Sequence, residues 1–269
     1  MNYNEAIIIV CRDNFHGRSI TIVGFSTDGF VTIPYGDAEE LENKILEIGP
    51  EKVAAFLFEP VQGEAGVKLP PEGYIKKVRE FCTKHNVLMI ADEIQTGFGR
   101  TGELFACDHE NVKPDMILLG KALGGGVYPV SAAVSTRDII GPDVIKPGTH
   151  GSTFGGNPLG SAVALKSLEI HLDDHLTQRS KEFGTYFLNG LSKIAQNKTI
   201  VPIKEVRGKG LLMAIEFESD ARHIVELFKD NGVLAKHTHS TNIRFAPPLI
   251  ITKDQIDWAL KIIEKVLVV

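Results

Sequence analysis

Cysteine is scarce: Cys11, Cys82 and Cys107 lie scattered through 269 residues and are odd in number. That pattern speaks for a reducing compartment such as the cytoplasm, and against a disulfide framework or a zinc site. A dominant charge is lacking too. The balance is 29 basic against 34 acidic residues, a net −5, with no basic block, so neither nucleic acid nor an anionic membrane is implied as a partner. No apolar run approaches membrane-spanning length. The opening MNYNEAIIIVCRDN has no charged leader or cleavage signature and reads as a strand. Repeats and low-complexity segments are missing as well. What is present is a 43% hydrophobic fraction, enough for a sizeable core in two domains or one large one.

Strands and helices alternate along the first part of the chain. Ala6–Val10 is expected to be a buried strand. The stretch 37–40 (DAEE) opens a helix with a capping-box-like start, an apolar stripe at Leu41, Ile45 and Ile48, and a stop at Gly49. Val53–Phe58 is the next strand and delivers Glu59. A helix starting at Pro71 turns Ile75, Val78 and Cys82 inward and closes near His85. Val87–Ala91 and Met116–Leu119 have the length and content of buried parallel strands. This rhythm predicts an α/β fold with a mostly parallel, doubly wound sheet. After Pro158 come two long helices, the second with Phe183, Phe187, Leu191 and Ile194 at helical spacing. A turn feeding a strand follows from Val206, and a capping box at Thr252–Gln255 opens a last helix through Ile256, Leu260, Ile263 and Leu267. The change of composition puts a soft boundary near residue 160, with a smaller α+β domain over 161–269.

Two of these strands end on residues that are costly to bury alone. One delivers Asp92, followed by Glu93; the other delivers Lys121 just past its last apolar residue. Ligands of open α/β sheets sit at the carboxyl ends of strands. A carboxylate and an amine there suit pyridoxal phosphate, whose aldehyde needs a lysine and whose pyridine nitrogen needs an acid. The same spacing also fits a turn-capping aspartate and a solvated lysine.

Wider strings occur together and in order: EPVQGEAG (59–66), ADEIQTGFGRTG (91–102), LLGKALGGGVYPVSA (118–132), GTHGSTFGGNPLG (148–160) and IRFAPPL (243–249). On these five motifs the chain resembles the class III, fold type I aminotransferases over essentially its whole length, and most closely those acting on ornithine. The resemblance implies an incomplete pyridoxal phosphate-binding large domain over 1–160 and a C-terminal small domain over 161–269. It implies an enzyme of amino-acid metabolism (proline biosynthesis, arginine metabolism) that moves the terminal amine of L-ornithine to a 2-oxo acid, with 2-oxoglutarate as acceptor. Acetylornithine or 4-aminobutyrate as donor, and a non-catalytic subunit that modulates a complete one, are the alternatives.

The resemblance also assigns roles. Lys121 is the Schiff-base lysine and proton shuttle, Asp92 pairs with the pyridine nitrogen, and Gln95, three residues on, holds the ring hydroxyl oxygen. Phe15 stacks on the ring; an ordinary core phenylalanine is the other reading. His16 stands where the family has an aromatic residue. Ser152 and Thr153 resemble a pair that reaches the cofactor phosphate from the neighbouring subunit, which implies a homodimer or higher; a helix cap or turn would use them equally. Arg18 clamps the substrate's distal carboxylate. Arg244 grips the α-carboxylate of the oxo acid as a fork, while Glu64 neutralises Arg244 when ornithine is bound. Surface ion pairing is the plainer reading of these three.

Other signatures fail. Gly120-Lys121 is no P-loop, since Asp115 and Ala122 occupy the positions of the upstream glycine and the following Ser/Thr. His171 and His175 are four apart but lack the glutamate of a zinc HExxH motif. His237 and His239 read as a polar loop. Gly124–Gly126 is expected to allow close backbone approach beside the lysine. Relatives also carry a long portion ahead of the residue numbered 1 here, expected to supply half the phosphate grip and part of the dimer interface; a mitochondrial presequence would have to lie there. A second shortening is expected near Ser26–Phe30.

Overall fold

Runs of Val, Ile, Leu and Phe only four to six residues long, bounded by polar turns, set the first sheet. The computed structural model describes residues 7–12 (backbone alone), 29–146 and 148–269. The described chain forms two units. The first runs to Pro60 and adds Pro70–Ile94 and Cys107–Leu165; the second takes Val61–Leu69, Gln95–Ala106 and Lys166–Val269. The last switch between the units falls at Leu165–Lys166, and two earlier segments, Val61–Leu69 and Gln95–Ala106, also belong to the second.

The first unit holds β1 (Ile7–Arg12), β2 (Phe30–Pro34), α1 (Ala38–Ile48), β3 (Val53–Phe58), α2 (Tyr74–Lys84), β4 (Leu88–Asp92), β5 (Met116–Leu119), β6 (Ala132–Ser135) and the short α3 (Arg137–Ile140). The strands form one sheet in the order β2-β1-β3-β4-β5-β6. All neighbours are parallel except β6, which returns antiparallel along β5. Strand β2 was not foreseen, since its FVTIP run is short and half-exposed. Asp37 caps α1 by accepting from Glu40 N–H at 2.9 Å, and Gly49, at φ +98, ends it. Helix α2 begins three residues later than the Pro71 expectation, because Gly73 is left-handed and Tyr74 N–H bonds back to the Pro71 carbonyl. Asp115 fixes the entry to β5: its Oδ2 accepts from Arg79 Nη1 and from Met89 N–H, both at 2.7 Å. The core between helices and sheet comprises Leu41, Ile45, Phe56, Phe58, Val78, Cys82 and Met89, all at most 1% exposed.

Helix α4 (Pro158–Asp173) leads from the first unit's residues into the second's, and α5 (Leu176–Ile194) follows. Then come β7 (Ile203–Lys209), β8 (Leu212–Phe217), α6 (Arg222–Asp230), β9 (Lys236–Thr238), β10 (Asn242–Phe245) and α7 (Lys253–Leu267). The sheet order is β7-β8-β10-β9, every pair antiparallel. The expected turn before one strand is thus a hairpin, with Gly210 at φ +53 turning β7 into β8. His237 is in a strand, not a loop, and His239 makes the next turn at φ +55. Every residue of β8 is buried. Met213, Ile215 and Phe217 pack into the helical core with Phe187, Phe228, Ile256 and Ile263, while Leu212 and Ala214 pack against Val61 and Val67. That second face explains why 61–69 folds with the distant C-terminal part. The capping box is present: Thr252 Oγ1 accepts from Gln255 N–H, and Gln255 Oε1 from Thr252 N–H. Among the described residues no helix is long and apolar enough to cross a membrane.

Thr252→Ala removes that cap and should lower stability by about 1 kcal/mol. Gly184→Ala should cost more, roughly 3 kcal/mol, because its Cβ would stand 2.1 Å from the Gly210 carbonyl oxygen. Urea denaturation of the two variants tests the ranking.

Candidate active site

Parallel pairing of β4 with β5 sets Asp92 beside Leu118, so the chain emerges at one sheet edge with an acid on one strand and Lys121 just beyond the next. Burial raises the Asp92 carboxyl above its usual value; the Ile94 N–H, donating at 3.0 Å, and the nearby charge of Lys121 offset only part of this. A half-buried acid left short of positive charge suits a cationic pyridine nitrogen, so these residues fit the cofactor the sequence points to. Lys121 is exposed and left-handed, at φ +44, at the start of a 3-10 turn. Gly120 permits this approach, since a Cβ there would lie 3.3 Å from Ile94 Cγ2. The glycines at 124–126 serve otherwise than expected. Gly125 and Gly126 are needed for positive φ, of +58 and +74, and a Cβ on Gly126 would meet nothing within 4 Å.

Glu93, next to Asp92, points away from this chemistry. It is fully buried and its Oε1 accepts from Cys107 N–H at 3.0 Å. Burial, reinforced by Glu93, pushes the Cys107 thiol far up, and burial, with Asp115 adding to it and Arg79 opposing, takes Cys82 up to about 12. Both described thiols stay protonated near neutral pH and are poor nucleophiles.

The second unit gathers three of the sequence candidates. Arg244 Nη1 donates to Glu64 Oε1 at 2.8 Å, to Gln95 Oε1 at 3.1 Å and to the Gly63 carbonyl at 3.2 Å; Gln95 Nε2 donates to Glu64 Oε1 at 3.0 Å. Gln95 is therefore engaged by the ion pair, although its sequence neighbour Asp92 belongs to the first unit. Gly63 must be glycine for this, because a Cβ would fall 2.2 Å from Gln95 Oε1. Burial works against the Glu64 carboxylate, yet hydrogen bonds from Arg244 and Lys236 outweigh it and hold its pKa down to about 2. Lys236 was not singled out from the sequence; its Nζ donates to Glu64 Oε2 at 2.9 Å.

Arg207 was also missed. It is 6% exposed and donates to the Gly66 and Val67 carbonyls, to Glu205, Glu216 and Asn242 at 2.6–3.1 Å, which pins the segment carrying Glu64. Arg100 is half-buried, bonded to the Leu211 and Pro247 carbonyls, and burial lowers its pKa to about 10. Ser152 and Thr153 are exposed in the first unit, where Ser152 Oγ accepts from Gly155 N–H at 3.0 Å, a turn-forming bond. His171 has a packing role: Nε2 meets Thr177 Oγ1 at 2.8 Å beside the Phe98 ring. Phe15, His16 and Arg18 lie outside the described residues, as does most of the 26–30 segment.

The α/β sheet with an acid and a lysine at its carboxyl edge is the fold of the pyridoxal phosphate-dependent transferases. The class III aminotransferase model matches residues 2–267. Ornithine aminotransferase of Brevibacillus brevis is 50% identical over 98% of this chain and 67% of its own length. The solved Toxoplasma gondii ornithine aminotransferase superposes with a TM-score of 0.90 at 43% identity, over 99% of this chain and 65% of that one. Acetylornithine aminotransferase from Elizabethkingia anophelis gives 0.87 at 48% identity, over 98% and 65%. The chain belongs to the class III aminotransferases, a pyridoxal phosphate-dependent family, and spans about two thirds of the length of the relatives it matches.

The Glu64 carboxylate generates a pH test. Its folded-state pKa is depressed from 4.5 to about 2. Its contribution is therefore complete above about pH 4.5 and is lost as pH falls toward 2. Urea midpoints of the wild type and Glu64→Gln should differ near neutral pH and converge as pH approaches about 2.

Proposed function

We propose that this chain is the cofactor- and substrate-binding part of an ornithine aminotransferase, converting L-ornithine and 2-oxoglutarate into glutamate 5-semialdehyde and L-glutamate. One observation supports it most: the 2.8 Å Glu64–Arg244 pair, braced by Gln95. An enzyme that meets a diamino acid in one half-reaction and a dicarboxylic oxo acid in the other needs a cation it can cancel. With Glu64 on Arg244, a terminal amine enters without an unpaired cation drawing in the wrong end of ornithine. With Glu64 displaced, Arg244 forms a charge-assisted fork with the oxo acid.

Pyridoxal phosphate, when bound, supplies the electron sink for breaking a bond at the amine-bearing carbon. Asp92 would hold its ring nitrogen, Gln95 its ring oxygen, Phe15 its face, and Ser152 with Thr153 its phosphate in a neighbouring copy, which makes a homodimer the working form. Lys121 Nζ would hold the cofactor's aldehyde end, then take and return the substrate proton at the reacting carbon, and Arg18 would bind the distal carboxylate. The two described thiols, free and protonated, suit a cytoplasmic setting.

Pyridoxal phosphate added to the chain should produce a visible absorbance band that Lys121→Ala abolishes. A wild-type chain with no such band would end the assignment for this polypeptide. Comparing turnover of ornithine, acetylornithine and 4-aminobutyrate then fixes the donor, with ornithine expected to lead by at least about tenfold.

A further inference from the structure

Strands β9 and β10 set two cations face to face. Their antiparallel register puts Lys236 directly opposite Arg244, a like-charge pairing that destabilises a sheet unless an anion stands between. Glu64 is that anion, and it serves the two cations with different oxygens. Oε1 accepts from Arg244 and Gln95, while Oε2 accepts from Lys236 at 2.9 Å. The ends also differ in access: the Arg244 side chain is 13% exposed and that of Lys236 59%. The backbone under Glu64 is fixed by paired Gln62–Lys68 bonds of 3.0 Å and by Arg207 on the Gly66 and Val67 carbonyls. Only side-chain rotation can move the carboxylate.

A glutamate with Arg244 as its sole partner would lose its whole counter-charge when a substrate took the arginine. Here the bond through Oε2 survives that exchange. We propose that Lys236 is the second seat of Glu64, a positioning residue that keeps the carboxylate held while Arg244 binds the carboxylate of an oxo acid, and so sets how readily the pocket changes from amine donor to acceptor. The choice of substrates rests on the ornithine aminotransferase reading; the charge arrangement does not. Removing Lys236 leaves Glu64 clinging to Arg244, which penalises the oxo acid and spares ornithine, for which the pair stays closed. A residue that merely stiffened β9 would weaken both ligands alike.

The test uses the full chain as wild type, Lys236→Met and Lys236→Arg, titrated calorimetrically with 2-oxoglutarate or ornithine and no added cofactor, so that neither ligand reacts. Lys236→Met should weaken 2-oxoglutarate about tenfold and ornithine less than about twofold, with Lys236→Arg restoring most of the loss. Equal losses, no loss, or no rescue by arginine would overturn the proposal. A second measurement needs no substrate. In Arg244→Met, carbon NMR should find the Glu64 carboxyl still titrating below its ordinary 4.5, and in the Arg244→Met/Lys236→Met double variant it should return to 4.5 or above. If the wild type binds neither ligand, the ornithine aminotransferase reading fails for this chain, and the NMR result alone decides Lys236: a normal titration in Arg244→Met overturns it.

Discussion

A buried guanidinium cannot tolerate an idle N–H, and that requirement at Arg207 organises the second unit. Arginine has five donors in a rigid fork. Here Nε faces the Gly66 and Val67 carbonyls, Nη1 faces Glu205 and Glu216, and Nη2 faces Gly66 again and Asn242. The carboxylates are balanced in turn, since Lys204 and Lys68 close on Glu216 at 2.7 and 3.0 Å. Burial opposes the Glu216 charge, but these donors hold its pKa down to about 2. Removing the arginine would take their donor from the Gly66 and Val67 carbonyls and from the buried Asn242 side chain, and leave Glu216 to its two lysines, a costly loss for buried polar groups. The network therefore fixes where residues 62–68 lie on β7, β8 and β10.

The selector built on that segment inherits its precision. Gly66 adopts φ +97 and approaches Asn242 so closely that a Cβ would sit 2.8 Å from its side chain. Gly63 gives Gln95 similar room. With the backbone tied down on both sides of Glu64, the carboxylate reaches Arg244 and Lys236 by rotamer choice alone. The side-chain entropy lost in holding it is modest beside two charge-assisted hydrogen bonds. A segment with a loose backbone could not keep two cations of opposite strands neutralised at once.

Much of the first unit was legible because burial on both faces leaves a plain signature. The runs at 53–58 and 116–119 became strands over those very residues, and Asp37 and Gly49 marked the ends of α1. Asp92 and Lys121 stood out at the ends of two apolar runs, whereas Glu64, Gln95 and Arg244 stood out only through motif strings. The unread parts share a physical cause: they depend on pairings remote in sequence. Val61 and Val67 look like loop residues until β8 supplies Leu212 and Ala214 as partners. Arg207 sits in VRGKG as one more charge, and its burial follows only once β7 and β8 form a hairpin that brings Glu216 near. Lys236 needed the register of β9 on β10, which a turn without Asn-Gly or Asp-Gly does not announce.

The string ADEIQTGFGRTG illustrates why chemistry and selectivity are spelled so close together. Its first residues finish β4 and present Asp92; from Gln95 onward the same string belongs with the other unit, where Gln95 braces Glu64 and Arg244, and where the Arg100 carbonyl receives Leu211 N–H at 3.0 Å and Ser180 Oγ at 3.1 Å. Two intervening residues, Glu93 and Ile94, are each committed: Glu93 by its buried bond to Cys107 N–H, Ile94 by donating to Asp92. Asp92 and Gln95 are thus only three peptide bonds apart along the chain. An insertion there would have to be absorbed without releasing the Glu93 bond to Cys107 N–H or the Ile94 bond to Asp92, so the constraint on this stretch is one of backbone length as much as of side-chain identity.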